Sequence, residues 1–168
     1  LLVDGLQAEK ARIPFAHVTC VKLPDEVRDE QAILLSDIFP TGYFGAKLAE
    51  ITSGDTVAVF GCGPVGQFAI ASARLLGAGR IFAIDNVATR LDMARAQGAE
   101  TIDFDRDDPV QLLKELTLGI GVDRAIDAVG VDANRAQSGP AAKVSKAEEK
   151  AFDRERANRR ARRAIGRD

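Results

Sequence analysis

"FGCGPVGQFA", residues 60–69, decides how the rest of this 168-residue chain is read. Gly61, Gly63 and Gly66 stand at the G-x-G-x-x-G spacing. Alone, that spacing fits a nucleotide-binding loop and equally a structural glycine turn in some other α/β protein, so the neighbouring residues must decide. Before it, "TVAVF" (56–60) is a short apolar strand of the kind buried on both faces. After it, Pro64 to Leu76 has helical spacing, with Val65, Phe68, Ala69, Ser72, Leu75 and Leu76 expected on one side. Pro64 suits a first helical turn and Gly77 a C-terminal cap. "RIFAID" (80–85) is the next buried strand, and it ends on Asp85, nineteen residues after Gly66. Strand, glycine loop, helix, strand and terminal acid in this register are the arrangement of a dinucleotide-binding βαβ unit.

Each residue type then has a physical job. Gly61 permits the tight turn, Gly63 has no side chain to block a pyrophosphate, and Gly66 lets the helix pack on the strand. The helix N-terminus presents N–H groups and a partial positive charge to phosphates. Asp85 can accept hydrogen bonds from ribose hydroxyls.

The same alternation continues outward. "ATRLDMARAQ" reads as a helix stopped by Gly98, and "ETIDF" (100–104) as a third strand. Asp108-Pro109 starts a helix over "VQLLKELT", and "GVDRAIDAVG" (121–130) is a fourth strand. A βαβαβαβ order with short connections argues for an α/β fold with a doubly wound parallel sheet. Upstream, "YFGAKLAEI" (43–51) reads as a helix preceded by a turn at Pro40 and Gly42, and "PDEVRDEQAILLSDI" (24–38) as a short helix. Residues 10–23, "KARIPFAHVTCVKL", are β-branched and partly alternating, which predicts a strand with Pro14 marking an edge. Three segments follow: 1–39, 40–138 and 139–168.

A hydrophobic content of 46% and a charged content of 29% are those of a soluble globular protein. The apolar runs are too short to span a bilayer. Cys20 and Cys62 do not make a disulfide framework, so a cytoplasmic setting is expected. The chain opens on Leu1 rather than Met, and the opening reads like the inside of a domain, so a fragment is expected. The net charge of −2 hides an asymmetry: residues 141–168 hold ten basic and five acidic side chains. That tail has helix-forming composition, with only Val144, Phe152 and Ile165 large and apolar.

"SDIFPTGYFGA", "GDTVAVFGCGPVGQFAIASARLLGAGRIFAID", "LDMARAQGAE" and "GVDRAIDAVG" together resemble the zinc-dependent medium-chain alcohol dehydrogenases over about residues 6–138. The "SDIFPTGY" wording is most similar to the glutathione-independent formaldehyde dehydrogenase-like branch. The resemblance implies a Rossmann-type coenzyme domain, preceded by a remnant of a GroES-like catalytic domain. It implies an oxidoreductase that moves a hydride between an alcohol or aldehyde and NAD, with Zn as Lewis acid. Asp37 falls where the family places its third catalytic zinc ligand, an Asp in that branch. Thr41 falls where a residue meets the nicotinamide, and Val65 where a branched side chain backs the ring. Gly61, Gly63, Pro64 and Gly66 are the pyrophosphate loop, Asp85 the ribose acid, and Arg90 a ribose or phosphate contact. Val129 and Gly130 fall at a strand end lining the coenzyme cleft. The family's other zinc ligands and its last sheet strands have no counterpart in this sequence, so an incomplete zinc site and an inactive chain are expected. The parent enzyme is expected to be a homo-oligomer.

Other readings stand beside these. Asp37 also reads as a surface carboxylate at a helix end. His17 and Cys20 can both bind metal, but three apart on a strand they point to opposite faces. Cys62 reads as packing, and Tyr43 and Phe44 as packing at a domain junction. The acidic run Asp103, Asp105, Asp107 and Asp108 lacks EF-hand spacing and reads as a solvated loop. A non-catalytic dinucleotide-binding module is the alternative function. Nucleic-acid binding through the basic tail is a third reading, disfavoured by the lack of interleaved aromatics.

Overall fold

The computed structural model describes residues 8–130, 139–142 and 150–158. The chain divides into two units, Leu1–Ser36 and Asp37–Asp168. In the first unit, the strand expected over 10–23 is replaced by one helical turn, α1 (Ala16–Thr19). Phe15 enters this turn in the left-handed region, at φ 55°. The Thr19 hydroxyl closes the turn by donating to the Phe15 carbonyl at 3.1 Å. Local hydrogen bonding outweighs β-branched composition here because every side chain of the segment is exposed, so no pleated face is buried to reward a strand. The helix expected over 24–38 is two short pieces, α2 (Asp29–Ala32) and a 3₁₀ turn (Ile33–Ser36).

The second unit starts with α3 (Ile38–Leu48), which begins earlier than expected and contains the residues read as a turn. Pro40 is its third residue, where the backbone N–H has no helical partner to lose. Four parallel strands follow: β1 (Thr56–Phe60), β2 (Arg80–Asp85), β3 (Glu100–Asp103) and β4 (Arg124–Asp127). They are joined by α4 (Pro64–Leu75), α5 (Ala88–Ala96) and α6 (Pro109–Leu116). The strand order is β3-β2-β1-β4. β4 is shorter than the expected 121–130. Gly121 before it sits at φ 90°, and after it the Asp127 carboxylate accepts from Val129 N at 2.9 Å and turns the chain out of the sheet.

Strand periodicity distributes the core to both faces. Val57, Val59, Ile81, Ala83 and Ile126 pack with Ala46 of α3, Ala69, Ile70 and Ala73 of α4, and Leu91 and Ala94 of α5. Ala58, Phe82, Ile84 and Ile102 pack on the other side with Leu113 of α6. Helices therefore cover both faces, as the uninterrupted apolar strands require. α4 buries Gly66, Gln67, Ala69, Ile70, Ser72 and Ala73. Leu75, expected on that face, is 74% exposed. Gly42 is a packing residue rather than a turn residue: a Cβ there would come within 2.8 Å of Ala69 N and Phe68 Cβ of α4. Phe39 meets Phe68 edge-on, with ring centroids 5.4 Å apart. Tyr43 stacks on Phe39, while Phe44 is 61% exposed and does not pack as expected. Residues 150–158 are helical and exposed. The rest of the expected basic tail, apart from 139–142, lies outside the described residues.

The strand order fixes where a ligand fits. After β3 the chain returns to the far side of β1, so β1 and β4 lie at the topological switch point. In open α/β sheets the ligand crevice opens there, beyond the C-terminal strand ends.

Candidate functional site

The glycine loop leaves β1 at that crevice. Gly61 sits at φ 85° and its N–H donates to Ile84 O at 2.8 Å, so the loop peels away only after one more ladder bond. A Cβ on Gly61 would meet Val129 Cγ2 at 2.8 Å, which places the segment just after β4 against the loop. A Cβ on Gly66 would collide with the Gly61 carbonyl, so the first turn of α4 lies directly on the loop. At Gly63 nothing stands within 4 Å of a Cβ position. Gly63 is also the N-cap of α4, and no side chain caps that terminus. Pro64 occupies the first helical position and Val65, half-buried, the next.

Asp85 organises the loop. Its carboxylate, on a residue only 4% exposed, accepts from Cys62 N at 2.8 Å, Asn86 N at 2.8 Å and Val87 N at 2.9 Å. Arg90 of α5 lies 3.6 Å from the Cys62-bonded oxygen. One acid thus ties the glycine loop to the β2–α5 turn. Burial, and secondly the Asp85 charge, push the Cys62 thiol up to about 12, so it stays protonated and packs as expected.

Gln67 belongs to the same assembly, and the sequence reading missed it. It is 8% exposed, and its amide reaches both Cys62 and the start of α5. The one signal for it is an amide side chain on the buried side of a mostly apolar helix.

The remaining candidates fall in two groups. Arg90 and Val129 gather with the loop at the switch point, through Asp85 and Gly61 respectively; Gly130 follows Val129, with nothing within 4 Å of a Cβ position. Asp37 and Thr41 sit together one turn apart, the Thr41 hydroxyl donating to the Asp37 carboxylate at 3.0 Å. They stand at the start of α3, the helix that Gly42 seats on α4.

The two implied groups fare differently. The open position over Gly63, the uncapped helix terminus and the acid at the end of β2 fit a dinucleotide. Catalytic zinc needs three protein ligands. Among the described residues, no three of His, Cys, Asp and Glu come together as a metal site. His17 and Cys20 lie on or beside a helical turn rather than on a strand, so the face argument used against them does not hold, but no third ligand joins them. The described residues therefore do not fit a catalytic zinc ion.

Comparison with known proteins agrees with this geometry. The family described as "Zinc-binding dehydrogenase" matches residues 64–143. The chain is 45% identical over 138 residues to an alcohol dehydrogenase of Cupriavidus necator (strain ATCC 17699 / H16), a match that takes in 82% of this chain and 38% of that protein. It is 41% identical over 128 residues to the NADP-dependent isopropanol dehydrogenase of Entamoeba histolytica, covering 76% of this chain and 35% of that one. Alcohol dehydrogenase TADH from Thermus sp. ATN1 superposes with a TM-score of 0.72 at 42% identity, over 75% of this chain and 36% of that structure. The chain thus spans little more than a third of the length of these relatives. Through its parallel sheet, its glycine loop and these identities, the chain belongs to the zinc-type medium-chain alcohol dehydrogenases, a family of oxidoreductases.

Proposed function

We propose that this chain carries the coenzyme-binding part of an NAD-dependent zinc oxidoreductase acting on a small alcohol or aldehyde. The observation that carries the reading is the glycine loop pinned to Asp85 at the switch point, with open space at Gly63. In this reading Gly63 and the first turn of α4 receive the pyrophosphate, and Asp85 and Arg90 face the adenosine ribose. Val65, Val129 and Gly130 line the cleft, and Thr41 meets the nicotinamide. The nicotinamide, when bound, supplies the hydride chemistry. Asp37 serves as a zinc ligand of the formaldehyde dehydrogenase-like branch only in an assembly that provides the other ligands, in a cytoplasmic homo-oligomer. A second reading, a dinucleotide-binding module without catalysis, is favoured by the lack of a metal cluster among the described residues.

Coenzyme choice has to be argued from the site, because some relatives are named for NADP. A 2′-phosphate would set negative charge against Asp85. Two unit charges at ~4 Å in an effective dielectric of about 20 repel by roughly 4 kcal/mol. Arg90, half exposed, lies 3.6 Å from the acid and offsets part of its charge, so a discount to about 1–3 kcal/mol is appropriate, or roughly a ten- to hundredfold preference for NAD(H). Calorimetric titration of both coenzymes, repeated on Asp85→Ser, tests this. The substitution should collapse the ratio toward one. Equal affinities in the unmodified chain would remove Asp85 from the role.

A further inference from the structure

We infer that Gln67 is the positioning residue that sets the phosphate-facing side of the glycine loop; the inference rests on the dinucleotide reading above. Its Nε2 donates to Cys62 O at 2.9 Å and to Arg90 O at 2.9 Å, and its Oε1 accepts from Gln97 Nε2 at 2.6 Å. Two carbonyl partners demand two N–H donors on one nitrogen, which fixes the orientation of the amide. The Cys62–Gly63 peptide is thereby held from one side. In a planar trans peptide the C=O and the following N–H point in opposite directions. Drawing Cys62 O toward Gln67 therefore turns Gly63 N–H the other way, away from the packed interior. Cys62 N is meanwhile held by Asp85. The loop is clamped at both ends of one residue, and the clamp reaches the first turn of α5 through Arg90 O.

Only a side chain with two donors and an acceptor fits this place. Methionine fills the volume but leaves the buried Cys62 carbonyl without its donor and removes the bond that ties the loop to Arg90 O. An ionised glutamate sets carboxylate oxygens against those carbonyls. Once protonated, it regains one O–H donor. The charged groups around the position are the Asp85 carboxylate on β2, the Arg90 guanidinium on α5, and Arg74 of α4 beside Gly98.

The test uses the full chain, with NADH as probe, titrated by fluorescence from about pH 5.5 to 8, with thermal unfolding at each pH. Gln67→Met should weaken binding by about tenfold or more at every pH, the scale of one or two lost hydrogen bonds. Gln67→Glu should match it at pH 8 and recover severalfold toward pH 5.5, after division by the unmodified chain's own profile. Both variants binding within about twofold of the unmodified chain, or a flat Gln67→Glu profile, would overturn the assignment while leaving the dinucleotide reading intact. Failure of the unmodified chain to bind NADH overturns that reading and this one with it. If the Gln67 variants do not fold, Gln97→Ala decides, since it removes only the donor that orients the amide. A loss of about two- to fivefold is expected, the scale of one partly exposed hydrogen bond, and unchanged binding would overturn the inference.

Discussion

Two helices of this sheet start alike and then part. α4 and α6 both carry proline in the first turn, after an N-cap in extended backbone. At α6 the cap is Asp108, whose carboxylate accepts from Val110 N at 3.0 Å and Gln111 N at 3.2 Å. At α4 the cap is Gly63, which has no side chain to offer. The first helix terminus satisfies its N–H groups from within the chain. The second is left without a side-chain acceptor among the described residues, at the crevice where the sheet order reverses. The fold thus separates two uses of the same physics. A carboxylate on a helix terminus is a structural cap, and a glycine there, held open by its neighbours, is an anion site.

Exchanging the caps is the strongest way to break this comparison. Gly63→Asp should turn the start of α4 into the kind found at α6. The backbone, at φ −66° and ψ −174°, accepts any residue, and nothing stands within 4 Å of the new Cβ. The new carboxylate would cap its own helix, adding roughly a few tenths of a kcal/mol of stability over the glycine. It would also occupy the phosphate position with like charge, so NADH affinity should fall by about a hundredfold or more. A rise in melting temperature together with lost binding is the expected pair of results. Unchanged NADH affinity would mean that the pyrophosphate does not lie there.

The contrast between the two caps was half legible in the sequence. Asp108-Pro109 announces a capped helix, and the glycine spacing before Pro64 announces an uncapped one, because both signals are local. The strands were legible for the same reason: apolar runs such as "TVAVF" need cover on both faces wherever they lie. What failed depended on contacts far away in the chain. Gly42 looks like a turn until the backbone of α4 is placed against it. Leu75 looks like core until Ile70 and Ala73 are seen to take the buried face. Gln67 carries no motif, since its partners are main-chain carbonyls that any residue could provide. Residues 10–23 have strand composition but bury none of their side chains, and a helical turn forms instead.

Gly66→Ala sharpens the comparison from the other direction, by closing the loop rather than filling the cap. Its Cβ would press on the carbonyl of Gly61, a residue whose own N–H is held by Ile84 O. Neither side is a flexible side-chain end, so loop or helix must move, at a cost of about 1–3 kcal/mol. Denaturant unfolding should show that loss together with weaker NADH binding, the opposite stability sign to Gly63→Asp. A variant as stable as the unmodified chain would show that α4 has room to slide, and the loop would not be rigid.

The smallest effect is expected at the capped helix itself. Asp108→Ala removes the acceptor for Val110 N and Gln111 N. The cost of losing such a cap is typically about 1 kcal/mol, and Pro109 remains to hold the first turn in helical φ. α6 packs through Leu113 against Phe82 and Ile102, on the face of the sheet opposite α4 and α5. The loss should therefore appear in unfolding and not in coenzyme affinity. Asp108→Asn should restore most of it, since the amide oxygen can still accept from the same N–H groups. NADH titration of Asp108→Ala within about twofold of the unmodified chain, beside a lowered unfolding midpoint, would keep cap and anion site as separate devices. A large loss of affinity would couple them, and would require that the face covered by α6 transmits strain through β1 into the glycine loop.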